Sequence, residues 1–523
     1  MSLTPISKED DNGKDNTPEK QYIFQLEPKY LNVHHELIKI FGKMAHQQQH
    51  SASSSQNKGR GGQRGRLQHK KTILVKAKDN WPVCPIGITM QFEDSKDGYD
   101  YFKITWNDNY ASLQEEFFKC VATHDPNSFQ YLLQKSPYHI DSLVQLSEVC
   151  KQTGELETAQ DFIERAIYAF EASWHHNFNP FSGKCRLSYT HEENRTFFLV
   201  LFRYIQLLSR KGFNRTCLEY CKLLLSLDPA DPLGVLFIID YYCLKSNQFE
   251  YLLRLYTSED LSDHYLSTLP NFVFNVALAK FHLENQPDVK LSSNAIKLGS
   301  SNELLQYALM LFPMLLEPLV KKAKISVTET DSSGYSKDLS KHGYYATAKS
   351  PTSLQPLINI YVERSYSLWQ TPEVNLWLKD NVAKVAKRAE TNDPMIDNCN
   401  TVLQEEYVNN EKSYYNHLLV SEHSDSANVL PPELVQEMRY FGGGARLYEG
   451  YNNFQRRQQQ QQPTVHATTS NPLMQFVQTL FSRTVPNAPP QNPNDPNWLN
   501  NLLQALVQQE EDVNDADIHE HQQ

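Results

Sequence analysis

Residues 136–171 read SPYHIDSLVQLSEVCKQTGELETAQDFIERAIYAFE, and this stretch decides the fold. Ser136 followed by Pro137 is a typical helix start, because the hydroxyl can cap free backbone N–H groups and proline suits the first helical turn. Gly154 fits the left-handed residue just past a helix end. On both sides of this glycine, apolar residues recur at helical spacing: Leu143, Leu146, Cys150, Ala159, Ile163, Ala166 and Phe170. The stretch therefore predicts two antiparallel helices packed as a hairpin.

The same pattern returns twice, around Gly212 and around Asn247. Apolar residues stand there at matching offsets: Leu201, Tyr204, Leu208, Cys217, Cys221, Leu224, Leu236, Ile239 and Cys243. Asn247 follows Gly212 by 35 residues, close to the roughly 34-residue tetratricopeptide period. The interval between the two glycines is 58 residues, which indicates an insertion over residues 173–195. We therefore predict a mainly α fold, a tetratricopeptide-like helical-hairpin solenoid over residues 131–325 with disordered termini.

The amino-acid composition limits which cellular compartment and which classes of binding partner we expect for the protein. The chain of 523 residues has a net charge of −11, so any nucleic-acid contact has to be local. Eight scattered cysteines without a CxxC pair favour reduced surroundings over secretion. The N-terminus lacks the apolar core of a signal peptide, and no apolar run approaches the roughly 18–20 residues of a membrane span. We expect a soluble, cytoplasmic protein, with the nucleus left open as a second location.

Residues 1–80 are predicted to be a disordered arm with two notable segments. Residues 30–42 read as a short amphipathic helix, which either docks on the repeats or serves as a linear motif for a partner. Residues 58–71 read KGRGGQRGRLQHKK and contain no carboxylate. Glycine between arginines lets guanidinium groups follow a phosphate backbone, although a solvated linker or a nuclear-import signal has the same composition. The candidate RNA- or ribosome-binding residues are Lys58, Arg60, Arg64, Arg66, Lys70 and Lys71.

Residues 81–130 predict a small N-terminal β-hairpin with a lead-in helix. Apolar residues alternate with polar ones before and after a turn at residues 95–98. Two strands alone are only marginally stable, so we expect the hairpin to cap the first repeat. In the insertion, His175, His176 and Cys185 raise the question of zinc. Adjacent histidines on one loop do not make a tetrahedral site, and we expect this loop to present a binding surface instead.

The C-terminal part is predicted as a polar loop at residues 326–350, a helical extension at residues 351–445 and a low-complexity tail at residues 446–523. Trp369, Trp377 and Leu378 are expected to form the core shared by two helices of the extension. Two apolar stripes interrupt the tail, and short helices cannot bury such faces alone. They either fold back on the repeats or bind a groove of a partner. The candidate partner-binding residues are Phe476, Leu480, Phe481, Trp498, Leu502 and Leu506.

Motifs of enzymes are missing from the sequence. It contains no P-loop, no GxGxxG after a strand, no HExxH and no GxSxG. Glu148 and Glu164, on the repeat helices, are predicted to lie on solvent faces. A repeat scaffold without such motifs is more often an adaptor than a catalyst. We expect no catalytic residue, no cofactor and no metal.

Several strings resemble one family closely: SPYHIDSLVQLSEVC, IERAIYAFE, LEYCKLLLSLDP, FEYLLRLY, LPNFVF and YNHLLVSEH. They are similar to the transcription factor 25 (Nulp) family, whose fungal member is ribosome quality control complex subunit 1. The resemblance spans roughly residues 30–434. The family's long charged N-terminal region is represented here only by a short segment.

The resemblance implies a non-catalytic scaffold that assists ubiquitination and extraction of stalled nascent chains on the large ribosomal subunit, ahead of proteasomal degradation. It implies as partners a listerin-type ubiquitin ligase, a nascent-chain tailing factor, the valosin-containing AAA ATPase and ubiquitin, with rRNA contact left open. The alternative is a nuclear transcription regulator that binds partners through its helical-repeat surface. No helix-turn-helix, zinc finger or basic-zipper pattern supports that alternative.

Overall fold

The computed structural model describes residues 22–31, 33–41, 72–83, 85–123, 126–286, 291–330, 336–351 and 353–408. These parts of the chain are mainly helical, with a three-stranded sheet near the N-terminal end. The predicted mainly α fold class is confirmed, and so is the small β-hairpin. We predicted that residues 1–80 and 446–523 are disordered. The structure describes residues 22–31, 33–41 and 72–80 of the first range, and all other residues of the two ranges lie outside the described residues.

Two short helices at the N-terminal end lie against the repeats. They are α1 (Pro28–Leu31) and α2 (Val33–Phe41), and residues 72–83 follow them as irregular chain. Leu31 is fully buried. The Glu36 carboxylate accepts hydrogen bonds from the backbone N–H groups of Arg215 (2.9 Å) and Thr216 (2.8 Å), at the start of a repeat helix. The helix predicted at residues 30–42 is therefore docked on the repeats.

The sheet combines the predicted hairpin with a strand from the insertion. β1 (Ile88–Lys96) and β2 (Tyr99–Trp106) pair antiparallel through a turn at Gly98, whose φ of 78° suits a residue without Cβ. β3 (Cys185–Leu187) pairs in parallel with β2, and its three residues are buried. The insertion thus contributes a buried strand, and our expectation that its loop presents a binding surface stays a prediction. The two-stranded hairpin is marginal alone, and β3 extends it into a sheet.

The three predicted hairpins form the centre of the molecule. Two helices lead into them, and the bounds are α3 (Asp108–Thr123), α4 (Pro126–Lys135), α5 (Ile140–Gln152), α6 (Leu156–Ala172), α7 (Glu192–Arg210), α8 (Asn214–Leu227), α9 (Ile239–Lys245) and α10 (Phe249–Tyr256). Gly154, Gly212 and Asn247, which end the first helix of each pair, have φ values of 85°, 80° and 57°. The left-handed turns predicted from sequence are confirmed.

Small residues let the helices of each pair approach closely. Ala159 and Ala166 on α6 are fully buried against α5, where the Ser147 hydroxyl donates to the Ala159 carbonyl at 2.8 Å. The apolar positions assigned to the inner faces are buried, and Cys150 is half-buried. Each large side chain buried in this way contributes about 1.5–3 kcal/mol. Successive helices pack on their neighbours from α5 to α11, as a hairpin solenoid requires.

The stacking continues into the C-terminal helices α11 (Pro270–Glu284), α12 (Ser293–Lys297), α13 (Ser301–Leu311), α14 (Leu316–Ala323), α15 (Gly343–Ala346), α16 (Gln355–Ser365), α17 (Pro372–Glu390) and α18 (Pro394–Tyr407). Within the predicted polar loop, β4 (Thr328–Thr330) and β5 (Ser336–Asp338) form a second small hairpin. Trp369 and Trp377 stack at 6.2 Å with planes 3° apart, above a fully buried Leu378. The predicted shared core is confirmed.

None of the described helices is, by itself, both long and apolar enough for a membrane span. Ser301–Leu311 and Pro313–Ala323 reach that length and composition only together, and they meet at an angle of 90°.

Candidate interaction surface

The two rows of repeat helices present two different faces. We call the row of α5, α7 and α9 the first-helix face, and the row of α6, α8 and α10 the second-helix face. Two N-terminal segments, residues 22–41 and 72–83, cross the second-helix face, and we call them the straps. The charged groups of the two faces are arranged differently, and this difference identifies the candidate surface.

The second strap is held by one carboxylate. Glu171, at the end of α6, accepts hydrogen bonds from three successive backbone N–H groups: Ile73, Leu74 (3.0 Å) and Val75 (3.3 Å). Glu171 itself is buried. Farther along the strap, the Trp81 indole N–H donates to Asp161 Oδ1 at 3.1 Å. These hydrogen bonds satisfy strap backbone groups that burial would otherwise leave unpaired.

The first strap is held by a buried ionic cluster on α8. Glu219 is fully buried, and its carboxylate lies 3.0 Å from Arg215 Nη2 and 3.1 Å from Lys222 Nζ. Glu27 of the strap lies 2.7 Å from the same Arg215 nitrogen, and its own backbone N–H donates to Glu219 at 2.9 Å. Burial lowers the pKa of Lys222, although Glu219 opposes this shift. Two cations and two carboxylates thus neutralise one another, with Glu219 fully buried and Glu27 at the partly exposed edge of the cluster.

Two repeat carboxylates that we predicted on solvent faces are in fact covered. Glu148 is buried, and its Oε1 lies 2.9 Å from Arg203 Nε on the next hairpin. The Glu164 side chain is 12% exposed and lies 2.9 Å from Lys78 Nζ of the second strap. The prediction was wrong because helical spacing shows which side faces the partner helix but not what covers the opposite side.

The first-helix face carries a row of cations that we call the basic strip: Lys151, Arg203, Arg210, Lys245 and Arg364. Three of these residues lie in the last turns of α5, α7 and α9. Arg364 comes from the last turn of α16. Cations are favoured at helix C-termini, where the backbone carbonyls carry partial negative charge. Parallel first helices therefore place their cations at one rim of the repeats.

Shared neighbours connect the strip residues in two groups: Lys151, Arg203 and Arg210 line one cleft, and Lys245 and Arg364 both lie near the Tyr241 ring. Arg203 Nη1 donates to Gln206 Oε1 at 2.9 Å, beside a cleft of about 10 Å³ that Lys151 and Arg210 also line. The Arg364 guanidinium lies 5.8 Å from the centre of the Tyr241 ring on α9. Four of these cations and, among the described residues, one carboxylate, Glu148, line the clefts along the strip. Arg364 interacts electrostatically with a second, buried carboxylate, that of Asp240. The strip is therefore locally positive on a chain whose net charge is −11.

The strip continues into a groove between the α9–α10 turn, the end of α11 and the connection from α16 to α17. The groove has a volume of about 450 Å³ and is lined by Leu244, Lys245, Asn247, Phe249, His282, Gln286, Ser367, Leu368 and Thr371. Lys245 belongs to both surfaces, and its Nζ donates to Ser367 Oγ at 3.4 Å. Phe249 and His282 stack at 4.9 Å, and burial lowers the pKa of His282. The groove thus combines apolar and polar side chains beside a row of cations, and its volume is typical of binding sites.

The predicted site residues fall elsewhere. The six basic residues Lys58, Arg60, Arg64, Arg66, Lys70 and Lys71 lie outside the described residues, and so do the six tail residues Phe476, Leu480, Phe481, Trp498, Leu502 and Leu506.

Of the residues considered for zinc, His175 stacks on Phe92 and Cys185 donates its S–H to the Asn179 carbonyl at 3.3 Å. In the part of the chain that the structure describes, no group of three or more His, Cys, Asp or Glu side chains is placed to hold a metal ion.

Sequence reasoning did not find the basic strip, although a signal for most of it is present. Lys151, Arg210 and Lys245 each stand two or three residues before the left-handed turn of their repeat. The shared offsets that revealed the core would also have revealed this row. Arg364 lies more than one hundred residues farther along the chain, and only the tertiary structure brings it to the strip.

Comparisons with known proteins match one family. The model of the family described as "Transcriptional repressor TCF25" matches residues 102–442. The "Ribosome quality control complex subunit TCF25" of Dictyostelium discoideum is 39% identical over 363 residues, which are 67% of this chain and 49% of the relative. The human protein of the same name is 34% identical over 423 residues, 80% of this chain and 60% of the relative. The "Ribosome quality control complex subunit 1" of Schizosaccharomyces pombe is 33% identical over 255 residues, 48% of this chain and 37% of the relative.

The chain thus spans about half to three fifths of the length of the first two relatives. No solved structure matches it.

Proposed function

The chain belongs to the TCF25 family, and from that membership we propose that it is a non-catalytic scaffold subunit of the ribosome quality control complex. In this role it assists ubiquitination and extraction of stalled nascent chains on the large ribosomal subunit. The observation that carries the proposal is the name shared by relatives in an amoeba and in human, over matches of 363 and 423 residues.

The geometry is compatible with a scaffold. Stacked hairpins expose long helical faces, which repeat proteins use to hold other molecules. One face is closed by the straps and the other carries the basic strip and the groove. We propose that partners of the complex, namely the listerin-type ligase, the tailing factor, the AAA ATPase and ubiquitin, contact this scaffold. The first tail stripe, with Phe476, Leu480 and Phe481, is a candidate helix for such a contact.

We further propose that the basic segment Lys58–Lys71 contacts rRNA. The straps support this proposal because they hold the chain on both sides of the segment. Glu36 of the first strap bonds to the start of α8, and the second strap begins on Glu171 of α6. The described residues on either side of the segment, up to residue 41 and from residue 72, are therefore held on the same second-helix face. A cationic segment attached in this way is kept near any phosphate surface that approaches this face.

The scaffold proposal is tested by purifying the full chain from cells after induced ribosome stalling. We expect large-subunit proteins and the ubiquitin ligase to be recovered together, and recovery to rise with stalling. A protein that is absent from large-subunit particles under these conditions would contradict the proposal. The cytoplasmic location that we propose is checked in the same cells by imaging.

The basic segment has its own test. Changing Arg60, Arg64 and Arg66 to Gln should weaken association with large subunits, and it should flatten its dependence on salt. Each lost phosphate contact lowers the log–log slope by roughly 0.7–0.9. Lys337→Gln with Lys341→Gln, which remove exposed cations elsewhere on the molecule, are the control and should leave the slope unchanged. An unchanged slope in the arginine variant would remove the segment from the proposal.

A second candidate function rests on the description of the family as a transcriptional repressor. Under this alternative the chain binds nuclear partners through its helical-repeat surface. Nuclear accumulation that does not change with stalling, together with changed transcript levels on depletion, would favour it over the ribosomal role.

A further inference from the structure

The first-helix face offers a partly apolar groove that leads into a row of cations, and a segment of this chain has the matching composition. The described chain ends at Val408, whereas the family match continues to residue 442. Residues 409–442 thus belong to the same family unit as the repeats. We infer that residues 413–437 dock on the first-helix face, with their apolar part in the groove and their carboxylates on the basic strip.

The order of residue types in this segment matches the surface. Residues 414–420 read YYNHLLV and are followed by Glu422 and Asp425, with Glu433 and Glu437 beyond. Residues 413–437 contain these four carboxylates and no Lys or Arg. The groove is lined in part by Leu244, Phe249 and Leu368. The strip beside it has five cations against two carboxylates of the described residues, Glu148 and the buried Asp240. The charges of the segment and the strip are therefore complementary.

The length of the connection fits as well. Tyr407 is fixed near the start of α11, because its hydroxyl donates to the Thr268 carbonyl at 2.6 Å. The groove lies at the other end of α11, where His282 and Gln286 line it. About 14–16 residues of helix at 1.5 Å each separate the two points, or about 21–24 Å. An extended chain covers about 3.3–3.6 Å per residue, so about six or seven residues after Val408 suffice. That count reaches Tyr414 and Tyr415, the first aromatic residues of the segment.

A rival occupant from the same chain is the second tail stripe. Trp498, Leu502 and Leu506 are followed by Glu510, Glu511 and Asp512, which gives a similar order of apolar and acidic residues. This stripe lies outside the family match, which ends at residue 442. Residues 413–437 follow the last described helix directly. Proximity along the chain raises their effective concentration at the groove.

Docking of this segment has a consequence for binding. A partner that uses the basic strip or the groove has to displace residues 413–437. The inference does not rest on the ribosomal role, and its failure would leave that role untouched.

Amide hydrogen exchange on the full chain tests the inference. Reversing two charges of the segment, Glu422→Lys with Asp425→Lys, should raise the exchange rate of residues 414–425 and of residues 244–249 about tenfold, because docking no longer protects either segment. Reversing two charges of the strip, Arg210→Glu with Lys245→Glu, should have the same effect. Combining all four substitutions should restore protection, because the charges are again complementary.

The control has the same change of charge in the rival segment. Glu510→Lys with Glu511→Lys should leave the exchange rate of residues 244–249 unchanged. If this variant raises that rate and the Glu422 and Asp425 variant does not, the tail is the occupant and the inference is overturned. Rapid exchange of residues 414–425 in the unsubstituted chain would also overturn it. Protection that grows with protein concentration would identify a second copy as the occupant. Unchanged exchange in α6 and α8 confirms that each variant is folded, and Glu422→Gln with Asp425→Asn provides a milder pair.

Discussion

The two faces of the repeats carry charged side chains of the same kinds and use them differently. On the second-helix face, Glu171 and Glu219 are buried beneath the straps, and each is satisfied by strap backbone or by neighbouring cations. On the first-helix face, the five cations of the basic strip outnumber the two described carboxylates beside them, Glu148 and Asp240. The first arrangement holds the chain together, and the second is suited to attract an acidic segment.

Burial decides how much each charge contributes to stability. A buried carboxylate that loses its place leaves its partners charged and unsolvated, which costs several kcal/mol. Removing an exposed cation leaves its former neighbours hydrated, so the free energy of unfolding changes little. Substitutions on the two faces should therefore differ in their effect on the free energy of unfolding. The following predictions begin with the largest effect.

Glu219→Ala should have the largest effect. The substitution leaves Arg215 and Lys222 buried without their shared carboxylate, so we expect the free energy of unfolding of the repeats to fall by about 3–5 kcal/mol. Denaturant unfolding followed by hydrogen exchange of α8 measures this loss. The first strap should also loosen, because the backbone N–H of Glu27 donates to Glu219. A loss below about 1 kcal/mol would be typical of an ordinary surface ion pair. It would contradict the difference that we expect between the two faces.

Lowering the pH should destabilise the fold through the buried imidazole of His139 at the start of α5, and not through the basic strip at the end of that helix. His139 is fully buried, with Nδ1 2.8 Å from Ser142 Oγ and Nε2 3.0 Å from Gln114 Oε1. Burial lowers its pKa from 6.5 to about 4, although Asp141 and Glu116 oppose this shift. Between these two pH values the unfolded chain binds a proton that the folded chain does not.

The stability contributed by neutral His139 is therefore complete above pH 6.5 and is lost as the pH falls towards 4, by up to about 3 kcal/mol. Thermal unfolding between pH 7 and pH 4 measures this slope. His139→Gln should flatten it, because glutamine does not titrate. An equally steep slope in the His139→Gln variant would assign the acid sensitivity to other groups.

Glu171→Ala should loosen the second strap without unfolding the repeats. Three strap N–H groups lose their acceptor, and a buried donor left unsatisfied costs about 1–3 kcal/mol. We expect faster amide exchange in residues 72–83 and little change in α5. Glu171→Gln is the control, since its amide oxygen still accepts hydrogen bonds, and it should give a smaller effect. Equal exchange in both variants would show that Trp81 and Asp161 hold the strap instead.

Much of the repeat architecture could be predicted from the sequence, because local signals and packing agree there. Gly154 and Gly212 mark turns that only a left-handed residue can make, and alanines mark close helix contacts. The third strand of the sheet could not be predicted in this way. β3 has only three residues, Cys185–Leu187, and such a short run has no alternation from which a strand can be recognised.

The straps and the basic strip depend on contacts between residues far apart in sequence. Glu27 and Arg215 meet across 188 residues, and Tyr22 and Arg186 meet across 164. Hydrophobic periodicity indicates the structure of one element at a time. It gives no information about which residues of distant elements are in contact. For the same reason, Glu148 and Glu164 were placed in solvent although Arg203 and Lys78 cover them.

Two lysines, one on each face, allow the most direct comparison of the faces. One of the two substitutions should also give the smallest effect. Lys222→Ala removes a buried cation and leaves fully buried Glu219 with one cation fewer, so it should cost about 3 kcal/mol. Lys245→Ala removes an exposed cation of the basic strip and should change the free energy of unfolding by at most about 0.5 kcal/mol. Denaturant unfolding of the two variants under the same conditions compares them directly. Both substitutions remove the same side chain and one positive charge, so any difference reports the surroundings alone. Equal losses would mean that burial does not separate the two faces, and the basic strip would then have to be regarded as part of the structural core.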